Sequence, residues 1–308
     1  MEVFHKGKER RHTVIMKKKL IVVLGPTASG KSELAVKLAK KFKGEIISAD
    51  SRQVYRGLDV GSGKITKEEM RGVPHYLLDV ANPKRKFTVA QFQKLSIKKI
   101  KQIQRQNKLP FLVGGTGFYI QSIVDGIVLP EVKPNWKLRK LLDKKSALEL
   151  FTILKNVDKN RSDGIDKNNK VRLIRAIEIV KSTKKPVPRI TKKQHFDVLQ
   201  IGVKRSQKQL KNAIRKRLIK RLNQGMITEV RRLRRLGLSW KRLHELGLEY
   251  RYIAQYLQEK ITYQEMLKKL ESEIWQFSKR QMTWFKRDKK IIWIKGKKET
   301  EKLIEKFL

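Results

Sequence analysis

The sequence predicts an α/β fold: a parallel sheet flanked by helices, with a small helical insertion subdomain. Three observations carry this. Short, β-branched apolar runs recur along the chain, and helical segments separate them. The first run opens onto a glycine-bounded loop that ends in Lys31 and Ser32.

Residues 20–25, LIVVLG, are continuously apolar, as a strand buried on both faces must be. Residues 32–42 follow as a helix, with Leu34, Leu38 and Phe42 at helical spacing. EIISAD, 45–50, is a second short strand ending on an acid. LPFLVGGTG, 109–117, is a third, opened by Pro110 and closed by glycines. FDVLQIGV, 196–203, is a fourth, and IIWI, 291–294, is a late edge strand. Ligands of parallel sheets sit beyond the carboxyl ends of the strands. The Lys31 loop, Asp50 and the 114–117 loop all follow strands at that edge, so three segments are expected to converge there.

Residues 126–195 have a different character. They are rich in Lys and Asn and interrupted by Pro130, Pro134, Pro186 and Pro188, with helical stretches near 135–155 and 168–182. They are expected to form the insertion. The α/β core then comprises 19–125 and 196–308, and 1–18 is a basic, disordered leader, with Met16 a possible true start. Downstream, 204–242 carries fifteen Lys and Arg and one acid, Glu229. Leu210, Ile214, Leu218 and Leu222 repeat every four residues, which predicts one amphipathic helix with a basic face, ended near Gly237. A second long helix is expected over about 263–287, carrying Trp275, Phe277, Trp284 and Phe285.

The 308 residues hold 75 Lys and Arg against 29 Asp and Glu, a formal net charge of +46. A field that large points to a polyanionic partner, above all nucleic acid. Hydrophobic content of 39% is too high for a disordered chain. The absence of cysteine excludes disulfides, thiolate metal sites and cysteine nucleophiles. No apolar run reaches the length of a membrane helix, and the first 20 residues lack the apolar segment of a signal peptide. The expected location is cytoplasmic, with no membrane partner.

Gly25-Pro26-Thr27-Ala28-Ser29-Gly30-Lys31-Ser32 fits G-x-x-x-x-G-K-[ST] between a strand and a helix. Its backbone N–H groups can point into one concavity, and the helix N-terminus adds positive potential. Lys31 reaches terminal phosphates and the Ser32 hydroxyl can ligate Mg2+. The sheet is therefore expected to be P-loop NTPase-like. The loop alone leaves the anion open. A kinase acting on a nucleoside or another small molecule is the alternative reading, although no arginine-rich lid stands out. Asp50 could bind Mg2+, act as a general base, or cap the turn that begins at Ser51. GGTGFY, 114–119, could bring Thr116 to a ligand or serve as a plain turn.

These motifs resemble a known family. GPTASGKS, DSRQVYRGLDVGSGK, GVPHYLLDV, FTVAQF, GGTGFY and KRQMTWFKRD occur in this order over most of residues 20–295. As a set they resemble the tRNA dimethylallyltransferases, or isopentenyl-diphosphate:tRNA transferases. The resemblance implies transfer of a dimethylallyl group from dimethylallyl diphosphate to N6 of adenosine 37, beside the tRNA anticodon. It also implies release of diphosphate and a need for Mg2+. The partner would be the anticodon stem-loop, and the protein is expected to act as a monomer.

Carried over by motif, Asp50 resembles the family's general base and Thr116 the threonine at the target nucleotide. Asp50, Ser51, Arg52 and Gln53 are similar to a tRNA-contacting DSxQ. Arg139 is similar to an arginine that touches tRNA, as is the run Val171, Arg172, Leu173, Ile174 and Arg175, with both arginines retained. The sequence departs from the family pattern at Ser62, where Thr is usual, and at Asn169 and Val171. Ala213 stands at a usual arginine position, with Arg215 and Arg217 nearby as replacements. The segment LGLEYRYI, 246–253, replaces an IGYKE-like run. An adenine stacked in a loop must be extruded to reach a sheet-edge pocket. Tyr55 and Tyr119 are read either as stacking partners for it or as core. His75 is expected to pack rather than catalyse, and Trp284 and Phe285 to be buried anchors.

Overall fold

The computed structural model describes residues 18–294 and 297–308. The expected leader lies outside them, apart from Lys18. In chain order the elements begin with β1 (Lys19–Leu24), α1 (Lys31–Lys41), β2 (Gly44–Ala49), α2 (Lys67–Met70), β3 (His75–Tyr76), α3 (Val89–Arg105), β4 (Leu109–Gly114) and α4 (Gly117–Val124). Then come α5 (Trp136–Asp143), α6 (Ala147–Val157), α7 (Lys159–Asp163) and α8 (Lys170–Thr183). The chain closes with β5 (Asp197–Val203), α9 (Gln207–Asn223), α10 (Met226–Arg235), α11 (Trp240–Leu246), α12 (Leu248–Tyr256), α13 (Tyr263–Phe285), β6 (Ile292–Ile294) and α14 (Lys297–Phe307). It divides into two units. One runs up to Gly126 and resumes over Gln194–Leu308; the other is Ile127–Lys193.

In the first unit the six strands form one sheet in the order β3-β2-β4-β1-β5-β6, with every pair parallel. β1 is central. Leu20, Val22 and Leu24 face a core built with Phe92, Ile100 and Ile103 of α3 and Ile120 and Ile123 of α4. Ile21 and Val23 face the opposite core, with Ala35, Leu38 and Ala39 of α1 and Ile304 of α14. Alternate residues of a strand point to opposite faces, so a strand covered on both must be apolar throughout. This is the predicted P-loop NTPase-like layering, with the late edge strand in place.

One sequence expectation in this unit needs correction. The basic segment is not one helix to Gly237. It breaks after Asn223, where Gly225 at φ 87° starts α10 in the left-handed region. The apolar stripe still closes a third core, in which Leu210, Ile214 and Leu218 meet Val230, Leu233, Tyr250 and Met266. Also, β3 escaped the sequence reading, because a two-residue strand carries no periodicity.

The second unit is helical and has its own core of Leu142, Leu150, Leu154, Leu173, Ile174 and Ile177. The expected helix near 135–155 is two helices, because Ser146 caps a new N-terminus with a capping box to Glu149.

Candidate active site

Parallel pairing aligns Leu24 of β1 with Gly114 of β4, and Gly114 with Ala49 of β2. Three chain segments therefore leave the sheet side by side. The first carries Gly25 to Ser32. Ala28 at φ 61° and Gly30 at φ 92° both take the left-handed conformation, which turns the loop over the start of α1. Lys31 folds back so that its Nζ donates to the Pro26 carbonyl at 3.1 Å. Burial, and then the nearby Arg217 guanidinium, push its pKa from 10.5 down to about 8, with Asp50 pulling the other way.

The second segment begins at Asp50. Its Oδ1 accepts the backbone N–H of Arg52 at 2.8 Å and of Gln53 at 3.3 Å. The capping reading of this acid is thus correct for one oxygen. Oδ2 has no hydrogen-bond partner among the described residues. Gln53 donates to the Gly63 carbonyl, and Arg52 Nε to the Leu246 carbonyl. The third segment presents Thr116. Its N–H donates to the Ala49 carbonyl at 3.2 Å, and its Oγ1 accepts the Ser51 N–H at 3.0 Å. Thr116 and Asp50 are therefore locked together through the Ser51 peptide.

Lys31, Ser32, Asp50, Ser51, Arg52, Gln53 and Thr116 line one cavity of about 260 Å³. Its other wall comes from residues far along the chain, namely Arg217 and Arg221 of α9, Glu249 of α12, and Phe277, Arg280 and Gln281 of α13. A second cavity, of about 310 Å³, lies along Ala28 to Glu33 and includes Val36, Ile65 and Arg71. Lys31, Ser32 and Arg217 belong to both. Two cations and a hydroxyl thus mark where the cavities meet, a place chemically suited to a phosphate group. Of the two arginines near Ala213, Arg217 is the one that reaches this place; Arg215 is on the exposed side of α9.

A family model described as IPP transferase matches residues 53–288, more than half of the chain. The chain belongs to that family. It is 38% identical over 303 residues to the tRNA dimethylallyltransferase of Carboxydothermus hydrogenoformans, covering 95% of this chain and 97% of that protein. It is 44% identical over 275 residues to tRNA dimethylallyltransferase 2 of Treponema denticola, covering 88% and 92%. Among solved structures it resembles the tRNA delta(2)-isopentenylpyrophosphate transferase of Staphylococcus epidermidis, with 35% identity, a TM-score of 0.69, and 94% and 99% of the two chains covered. It also resembles a eukaryotic dimethylallyltransferase described as acting on tRNA, with 26% identity, a TM-score of 0.73, and 87% and 69% covered.

Several family-motif residues have structural duties. Tyr55 and Tyr119 are buried, so the core reading holds for both: Tyr119 stacks on Phe92 at 4.0 Å, and the Tyr55 hydroxyl accepts the Phe87 N–H. His75 packs on β3, with Nδ1 2.8 Å from the Val73 carbonyl oxygen, and burial lowers its pKa. Phe285 is an anchor in the sheet core, while Trp284 lies on Gly117, where a Cβ would come within 2.3 Å of the indole.

In the second unit, Arg139 and Arg175 both clasp the buried Glu178 carboxylate, Arg139 through Nε at 2.8 Å and Nη2 at 2.6 Å. Burial works to raise the Glu178 pKa. The two guanidiniums and the Asn135 N–H outweigh it, and the carboxyl lies below its ordinary range. Val171 is 79% exposed and Arg172 is exposed, whereas the Leu173 and Ile174 side chains lie in the unit's own core. A tRNA contact expected at those two side chains meets an inward-facing apolar stripe instead.

Of the cavity wall contributed by α9, α12 and α13, sequence reading reached only Arg217, as one of two replacements for the arginine absent at Ala213, and missed the rest. A signal for the rest was polar residues on otherwise apolar helix faces, such as Gln281 in KRQMTWFKRD.

Proposed function

We propose that this chain transfers a dimethylallyl group from dimethylallyl diphosphate to N6 of adenosine 37 in tRNA, releasing diphosphate. The observation that carries this is the meeting, in one cavity, of Lys31 and Ser32 with Asp50 and Thr116. A phosphate cradle and a proton acceptor stand side by side, as transfer from an allylic diphosphate to an amine requires.

The diphosphate takes the junction of the two cavities. Loop N–H groups, Lys31 and Arg217 offset the charge that grows on it as the allylic carbon–oxygen bond breaks. The new bond forms between that carbon and N6 of the adenine. The free Oδ2 of Asp50 accepts the N6 proton, while Oδ1 stays fixed by the Arg52 and Gln53 N–H groups. Thr116, locked to Asp50 through Ser51, holds the adenine amine in line.

The donor set also suits Mg2+. The Ser32 hydroxyl offers a hard oxygen where the two cavities meet. Among the described residues no cluster of three or more His, Cys, Asp or Glu could hold a metal by itself. Mg2+ at such a site would be bound chiefly through substrate phosphates. When bound, Mg2+ supplies further neutralisation of the leaving diphosphate.

The RNA is met by cations. Arg52 and Gln53 face it at the cavity, and the exposed arginines of α10 meet stem phosphates. The helical unit Ile127–Lys193 adds Val171 and Arg172, together with Arg139 and Arg175, whose side chains remain 28% and 31% exposed on Glu178. The protein acts as a monomer in the cytoplasm, where tRNA is modified. No described helix is long and apolar enough to cross a membrane.

The test is incubation with an anticodon stem-loop, labelled dimethylallyl diphosphate and Mg2+, followed by nucleoside mass spectrometry. Label on N6 of the adenine beside the anticodon is the expected result. Absence of label, with phosphate passing from γ-labelled ATP to a nucleoside instead, overturns the reading in favour of a kinase.

A further inference from the structure

Glu229 on α10 has no place in the chemistry above, yet it is among the most heavily engaged side chains in the molecule. It is 5% exposed. Its Oε2 accepts the backbone N–H of Asp59 at 2.9 Å and of Val60 at 2.7 Å. Its Oε1 accepts the Gly61 N–H at 3.0 Å and the Tyr250 hydroxyl at 2.9 Å. Burial, and then the Glu229 carboxylate, push the Tyr250 phenol pKa well above its ordinary value, so it remains a donor.

The carbonyls of the same loop are held as well. Arg221 donates through Nε to Val60 O at 3.0 Å and through Nη2 to Gly61 O at 2.7 Å, and its charge is met by Glu249. A carboxylate thus takes the N–H groups of one short loop and a guanidinium takes its carbonyls. A buried carboxylate with four donors is satisfied; the same site without it leaves three peptide N–H groups orphaned.

The loop borders the cavity: Ser62 lines it, and Gly63 holds two of its side chains. Two residues after Gly61, the Gly63 carbonyl accepts from Gln53 Nε2 at 3.1 Å and from Arg217 Nη2 at 3.1 Å. Both donors line the cavity that holds Lys31 and Asp50. Gly63 is also the floor under Arg217: at its φ of 59°, an added Cβ would lie 2.3 Å from the Arg217 guanidinium. The position of Arg217 is therefore set by the Gly63 backbone.

We propose that Glu229 is a positioning residue for the transfer reaction, acting with Arg221 through the Asp59–Gly63 loop to aim the Arg217 guanidinium at the leaving diphosphate. This rests on the proposed transfer activity. It adds a residue outside the cavity whose effect is transmitted by backbone.

The test uses the whole chain, with Glu229→Gln, Arg217→Ala and the double variant. In Glu229→Gln, the KM for dimethylallyl diphosphate and the Kd for inorganic diphosphate should rise by roughly tenfold, with the KM for the stem-loop changed by less than about twofold. In the Arg217→Ala background the same substitution should add less than about twofold, since its target is gone. Gly63→Ala, which displaces Arg217 without touching Glu229, should reproduce the diphosphate defect even if Glu229→Gln folds poorly. The proposal is overturned if Glu229→Gln costs the same factor with and without Arg217, if it weakens RNA as much as diphosphate, or if Gly63→Ala binds diphosphate normally. The two ideas fail separately. A wild-type chain that does not transfer the prenyl group defeats the activity, whereas the inorganic diphosphate measurement reads the positioning role regardless.

Discussion

The Gln281 side chain accepts a hydrogen bond from the Thr27 backbone N–H at 2.8 Å. Its amide nitrogen donates to the Gly115 carbonyl, also at 2.8 Å. One buried amide on α13 thus spans the phosphate loop and the loop that presents Thr116. In the proposed mechanism that span sets the separation between the leaving group and the acceptor amine. Gln281→Met keeps the volume and loses both bonds, leaving a peptide N–H and a carbonyl without partners at a cost of about 1–3 kcal/mol each. The variant should melt lower and turn over more slowly at saturating substrates. A variant that melts and transfers like the wild type removes Gln281 from this role.

The proposed mechanism gives the two oxygens of Asp50 different duties, and two substitutions separate them. Asp50→Asn keeps an oxygen for the Arg52 and Gln53 N–H groups but cannot take the adenine proton. It should melt like the wild type, bind stem-loop RNA normally, and transfer more slowly by about 10²–10⁴-fold. Asp50→Ala should lose a further ~1 kcal/mol of stability with the cap. Near-normal transfer by the Asn variant would assign the proton to another acceptor.

The RNA should be held mainly by charge. Arg231 and Arg235 lie four residues apart on the exposed side of α10. Replacing both by Gln should weaken stem-loop binding evenly across sequences. It should also flatten the logarithmic salt dependence, by a slope of about one for each phosphate no longer neutralised. An unchanged slope in a salt titration places the RNA elsewhere.

The helical unit should be acid-sensitive through Glu178. Its carboxyl titrates below the ordinary 4.5 when folded, so its ion pairs stabilise the unit above that pH, and the stabilisation is lost as pH falls through the lower folded value. Glu178→Gln should be less stable at neutral pH and show a flatter acid limb in denaturant titrations from pH 7 to 3. Equal acid limbs in the two proteins would put the acid response on another carboxylate.

The central strands were legible because burial on both faces admits only apolar residues, which LIVVLG displays directly. The phosphate loop was legible because few sequences wrap an anion with so few residues. Asp50 and Thr116 followed from strand ends in register and from their motifs. The far wall was largely hidden. Arg217 was reached only as one of two replacements for the arginine absent at Ala213; Arg221 and Gln281 also lie on helices late in the chain, and nothing local distinguishes an arginine that turns inward from the many that face water. The break at Gly225 was hidden for a related reason: the four-residue repeat continues up to it, so periodicity alone ran through the turn.

The place of β1 in the sheet bears on how the protein is made. Lys19 pairs with Asp197 of β5, and Ile21 with Phe111 of β4. At roughly 5–20 residues per second, β1 leaves the ribosome on the order of ten seconds before β5 has been synthesised. Throughout that interval a strand apolar from Leu20 to Leu24 has an open edge, which invites pairing with other chains. The edge of β1 that β5 will cover stays open while the helical insertion is being translated, and a ribosome that pauses there prolongs the risk.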